Sequence, residues 1–315
     1  MSRRTLLFVR WGVFLLALGF LAARLRQGSG MAALAIEGRA AALRGPVAAA
    51  LALMLVNWGL ESRKWRLLVR GLEPISIARS FAATIAGTAI GLITPNRVGE
   101  FAGRVLFLAP EHRIAGAFAT VVGSIAQFVV TLVLGMLGLI ALTMGADPDY
   151  TDPLVPAWIG LCALLAVGSL LLYFNPQLLH ALVQRLPWVS RWERHAAVLD
   201  RFAPGELRSV LVLSLARYAV FSAQFALLLM YFAGLAPEEA LPAMPVVFLI
   251  GTLIPTVMLT ELGVRGSVAV AFFHSGAGDA AVVLATTVLW LVNIALPAVT
   301  GAVILLVARI RASGP

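Results

Sequence analysis

Residues 5–23, 46–62, 115–142, 155–174, 209–233 and 280–307 form apolar runs of roughly the length a helix needs to cross a bilayer. The runs are continuous and lack two-residue alternation, so the pattern predicts an all-α polytopic membrane protein and not a β-barrel. Two more apolar regions are broken in the middle. Ser80–Leu108 is interrupted by TPNRVGEF, and Pro242–Phe273 by IPTVMLTELGVRG. Each half is about thirteen residues or fewer. At ~1.5 Å per residue it covers only part of a ~30 Å hydrocarbon layer. Each pair is therefore either a re-entrant hairpin or one discontinuous span.

Charge placement selects between these. Arg63, Lys64, Arg66, Arg70 and Arg79 cluster in 61–79, Arg185, Arg191, Arg194, Arg201 and Arg208 in 175–208, and Arg309 and Arg311 close the chain. Asp147, Asp149 and Asp152, and later Glu238 and Glu239, stand without bases. The positive-inside rule places the basic segments and both termini in the cytoplasm, although Arg24, Arg26, Arg39 and Arg44 run against that assignment. Both broken regions then enter and leave from one side, the first from inside and the second from outside. The order helix, helix, broken hairpin, helix occurs twice with opposite orientation. The expected architecture is thus two inverted-topology repeats, each with a broken, re-entrant helix pair. Repeat A covers 1–144 with its hairpin at 80–110. Repeat B covers 145–308 with its hairpin at 242–273 and a cytoplasmic amphipathic linker at 175–206. Such architectures place a binding site where broken elements meet near the midplane.

Composition agrees with a membrane location: 61% of the 315 residues are hydrophobic and 12% charged, about half the charged share of soluble domains. The net charge of +9 follows from arginines at helix ends, and nucleic acid is not expected as a partner. Arg3, Arg4 and Arg10 ahead of Trp11–Ala23 fit either a signal peptide or a retained first helix, and the retained helix is the reading adopted. Cys162 is the single cysteine, and His112, His180, His195 and His274 lack metal spacing, so no metal or cofactor is expected. Asp147 and Asp149 fall in a short external loop, and no catalytic residue is assigned.

The two breaks carry the candidate chemistry. Pro95 stops the first half-helix, Asn96 and Gly99 tolerate turn geometry, and a second half-helix is expected from Val98–Phe101. Its free N–H groups would favour an anion, and Arg97 offers a planar fork for phosphate oxygens. In the second break Pro255 stops the helix, Gly263 and Gly266 loosen the turn, and Glu261 and Arg265 carry the charges in reversed order. Arg97 with Glu100, and Glu261 with Arg265, either pair locally or pair across the two breaks. These charges either are structural ion pairs that hold the hairpins in place or act on a substrate, intramembrane charge being a functional hypothesis by default, and Arg104 joins these candidates. Arg217 is expected to snorkel to the surface. Asn57, Gln127, Gln224 and Asn293 are expected to form helix-to-helix hydrogen bonds.

At LITPNRVGEFAGRVLFL the chain resembles the membrane region of lysylphosphatidylglycerol synthases and their stand-alone, flippase-like relatives, over about residues 5–308. That family shows a Pro-Gly-Arg-x-Gly-Glu element and a later Gly-Leu-Gly-x-Arg-Glu element, which GVRGSVAV partly matches. Here Asn96 replaces a glycine, Thr260 and Glu261 replace glycines, and Gly266 replaces a glutamate. The resemblance implies roles for Arg97, Glu100 and Arg265. It also implies movement of a phospholipid or lipid-linked intermediate between leaflets of the cell (inner or plasma) membrane, without enzymatic activity. The expected partners are anionic phospholipids or polyprenyl-phosphate-linked substrates, with a homo-oligomer or a lipid-modifying enzyme as further candidates. The alternatives are a membrane-embedded transferase acting on a polyprenyl phosphate or phospholipid, and a scaffold for a lipid-modifying enzyme.

Overall fold

The computed structural model describes residues 44–92, 94, 97–144, 154–185, 192–254, 258–273 and 275–308, with backbone alone at 155 and 258–261. Every regular element among them is helical. The expected span at 5–23, together with Pro95, Asn96, Pro255 and the Asp147–Asp149 loop, lies outside the described residues.

The first described helix, α1 (Arg44–Val69), is followed by α2 (Ile77–Leu92) and the short α3 (Gly99–Val105). Then come α4 (Arg113–Met144) and α5 (Val155–Phe174). The linker contains α6 (Pro176–Arg185) and the single turn α7 (Glu193–Ala196). The remaining helices are α8 (Pro204–Ala233), α9 (Pro237–Leu253), α10 (Met258–Phe272), α11 (Asp279–Trp290) and α12 (Leu296–Val307). A π-helical turn at Leu291–Ala295 joins α11 to α12. Five long apolar helices fit membrane spans: Arg44–Val69, Pro110–Met144, Pro156–Phe174, Pro204–Ala233 and Asp279–Val307. The chain is an all-helical, multi-pass membrane protein.

Local chemistry explains several boundaries that hydropathy misplaces. The second interrupted region begins at Pro237, not Pro242, because Pro237 suits the first helical turn and Glu239 Oε2 accepts the Ala236 N–H at 3.1 Å. Gly234, at φ 66°, ends α8 in the left-handed conformation that glycine adopts without penalty. α1 runs seven residues beyond the expected end at 62, since Trp65, Leu68 and Val69 continue its buried face while Arg63, Arg66 and Arg70 remain outside. The half-helices are unequal: 16 residues in α2, seven in α3, 17 in α9 and 15 in α10.

The packing has a reciprocal pattern. α2 lies on α12, the last span, and α9 lies on α4, which ends the first of the two expected repeats. α1 lies along α8. Contacts from residue 64 to 50 of α1 meet residues 214 to 224 of α8 in rising order, so these two helices are antiparallel. Phe221, Phe225 and Phe248 anchor an apolar core between α8 and α9, extended by Phe273. The linker is docked: Val183, Ala196, Val198 and Leu199 pack against Leu68, Ala119, Val122 and Leu207.

α12 crosses α2 at Gly301, where an added Cβ would overlap the carbonyl of Ile85. Small residues permit such close crossings in membranes. Gly301→Ala should therefore cost about 1–3 kcal/mol through overpacking, read as a lower unfolding midpoint in detergent. An unchanged midpoint would rule out this close crossing.

Candidate functional site

The first break is closed by its own backbone and by Thr94. The Thr94 hydroxyl donates to the Gly91 carbonyl at 3.0 Å and accepts the Gly99 N–H at 2.8 Å. One of the N–H groups expected to face an anion at the start of α3 is therefore already used. Behind this turn, α2 and α3 meet through glycines. A Cβ on Gly103 would stand 2.6 Å from the Gly87 Cα, and one on Gly99 would stand 2.6 Å from the Ile90 carbonyl oxygen. Gly87 with Gly91 and Gly99 with Gly103 are each four residues apart, a signal legible in sequence.

Arg97 is the one non-glycine residue with positive φ, 58°, among the described residues. The left-handed region costs an L-residue roughly 1–2 kcal/mol. A glycine would fit this backbone with less strain. Its NH1 lies 3.6 Å from Glu100 Oε1.

Glu100 leads inward to a charge cluster. Its Oε2 accepts from Arg104 NH2 at 3.1 Å, and Arg104 NH1 donates to Glu61 Oε1 at 2.7 Å. Glu61, only 3% exposed, also holds Lys64 Nζ at 2.7 Å and Arg217 NH1 at 2.8 Å through Oε2. Three cations thus converge on one buried carboxylate, and Lys64 reaches on to Ser214 Oγ at 3.4 Å. Arg217 does not snorkel. Its Nε donates to Asn57 Oδ1 at 2.8 Å, and its guanidinium lies 5.5 Å from the centre of the Trp58 ring. A neutral relay continues from there: Asn57 Nδ2 donates to Asn293 Oδ1, Asn293 Nδ2 to Gln224 Oε1, and Gln224 Nε2 to the Ala50 carbonyl. Asn57, Gln224 and Asn293 therefore make the interhelical bonds expected of them.

A cavity of about 190 Å³ opens against this cluster. Arg97 from the first break, Arg265 from α10 and Arg217 from α8 all line it, with Asn57, Gln127 and Tyr218. Three wall atoms, Trp58 Nε1, Gln127 Oε1 and Tyr218 OH, are buried without a hydrogen-bond partner among the described residues. Such groups favour a polar guest or a rearranged wall.

The sequence candidates are distributed as follows. Arg97 and Arg265 share the cavity wall. Glu100 steadies Arg97 and Arg104, while Arg104 is 5% exposed and lies behind the wall. Gly99 starts α3 as expected. Gly263 does not break a helix: it lies within α10, five residues after its described start at Met258. Removing a side chain inside a helix weakens it without ending it. Glu261 lies in α10 one turn before Arg265, and its side chain lies outside the described residues, as do Asn96, Pro95 and Pro255. The sequence does not single out Glu61, Lys64 and Arg217 as site residues; they form the buried cluster beside the cavity. Hydropathy ends the first described span at 62 and counts Glu61 and Lys64 as surface charge. The spacing Asn57, Glu61, Lys64 and Trp65 places them on the buried face.

Residues 7–301 match the family described as "Lysylphosphatidylglycerol synthase TM region". No curated protein and no solved structure gives a match.

Proposed function

The chain belongs to the lysylphosphatidylglycerol synthase TM region family, a membrane family linked to lipid metabolism, and we propose that it moves an anionic phospholipid or lipid-linked intermediate between leaflets without altering it chemically. One observation carries the proposal: arginines from both broken regions, Arg97 and Arg265, converge with Arg217 on one cavity among apolar helices. Guanidinium groups offer paired donors that match phosphate oxygens. The cavity would take the headgroup while the acyl chains stay in lipid.

The reciprocal packing supports an inverted repeat and re-entrant broken pairs. α1 and α8 hold equivalent places in the two halves and run antiparallel. Each half lends the first leg of its broken pair to the last span of the other. In such repeats the site lies at the interface and the halves rock about it.

Reconstitution tests the reading. Liposomes containing the purified chain should translocate fluorescent phosphatidylglycerol, measured by dithionite quenching, faster than empty liposomes. Arg265→Gln should reduce the rate at least tenfold with folded protein retained, in line with the ~1.5–3 kcal/mol of a hydrogen bond to a charged group. Equal rates with and without protein would overturn lipid movement, and an undiminished Arg265→Gln rate would overturn the site.

A further inference from the structure

A second arginine cluster lies apart from the central cavity and shares none of its lining residues. It forms a groove of about 750 Å³ between the end of α1 and the start of α8. Arg63 and Arg66 stand at i and i+3 on the outer face of α1, Arg70 follows one residue beyond its end, and Arg208 lines the same groove from α8. Of the four guanidiniums, Arg70 meets a carboxylate: Glu206 Oε1 accepts from Arg70 NH2 at 2.7 Å. Arg66 Nε donates to the Ile75 carbonyl at 2.9 Å, which fixes that side chain and leaves its outer nitrogens available. Arg63 and Arg208 have no ion-pair partner among the described residues. The same groove has an apolar wall of Leu67, Val212 and Leu213, with Val212 63% exposed.

This combination differs from ordinary snorkelling, in which separate arginines leave the bilayer singly. Here two antiparallel spans bring four like charges around one groove, at a cost in mutual repulsion that an anion relieves. We propose that the groove is an interfacial site for an anionic phospholipid. Its phosphodiester sits among Arg63, Arg66, Arg70 and Arg208, and an acyl chain lies along Val212 and Leu213. Charge complementarity selects an anion, and the continuous apolar wall selects a lipid over free phosphate.

The full chain in detergent can be labelled with a photoactivatable phosphatidylglycerol and the cross-linked peptides mapped. Label is expected at residues 63–75 and 204–213, removed by excess unlabelled phosphatidylglycerol but not by phosphatidylcholine or inorganic phosphate. The double variant Arg63→Gln/Arg208→Gln changes only exposed side chains. It should lower this labelling at least tenfold while eluting as folded protein. Arg97→Gly should leave it unchanged, which separates this site from the central cavity. The proposal is overturned if label is absent from both segments or persists in the double variant. Equal competition by phosphatidylcholine or by inorganic phosphate would also overturn it.

Discussion

Replacing Glu61 by alanine is expected to destabilise the protein by about 3–5 kcal/mol, the range for removing one partner of a buried ion pair. The reason is geometric. Lys64, Arg104 and Arg217 all place nitrogens within 2.7–2.8 Å of its two oxygens. Without the carboxylate, Lys64 keeps only neutral oxygens at 3.4 Å, while Arg104 keeps Glu100 and Arg217 keeps Asn57. Three cations would then sit close together in a poorly solvated interior. The unfolding midpoint in detergent should fall by on the order of 10 °C, or the variant should fail to elute as folded protein. Glu61→Asp, which keeps the charge on a shorter side chain, should recover part of the loss. A midpoint within 1–2 °C of wild type would sink the view that this carboxylate organises the cluster.

The second large effect separates function from folding. Arg97→Gly should leave stability unchanged or raise it by up to about 1 kcal/mol, because glycine occupies the φ 58° conformation without strain. Lipid translocation should nevertheless fall at least tenfold, because one of the three cavity guanidiniums is gone. Arg97→Lys should fall between, since it retains the charge and loses the bidentate fork. Full translocation by Arg97→Gly would show that the positive φ serves the turn alone.

The membrane class, the spans from residue 44 onward and the two interruptions are legible in the sequence because apolar runs and prolines act locally. What hydropathy cannot register is which face of a helix a charge occupies. Glu61 and Arg63 are neighbours in sequence, yet one is buried and the other exposed, and only the packing of α1 on α8 separates them. For the same reason Arg217 reads as a snorkelling residue until Glu61 is seen opposite it. Gly263 misleads in the other direction, since a glycine beside a break is not always in it. Arg97, Glu100 and Arg265 stand out in the sequence as charges within broken segments. Their convergence with Arg217 is a tertiary fact with no local signature.

The glycine seam between α2 and α3 has a mechanical consequence. Where Gly87 meets Gly103, backbone lies on backbone, and the Glu100 and Arg104 side chains of α3 lie directly against Gly91 and Gly87 of α2. Such a seam resists sliding, and Thr94 ties its tip across the turn. In the proposed lipid movement the two legs are therefore expected to shift together, with the flexing at the connections 70–76 and 106–112.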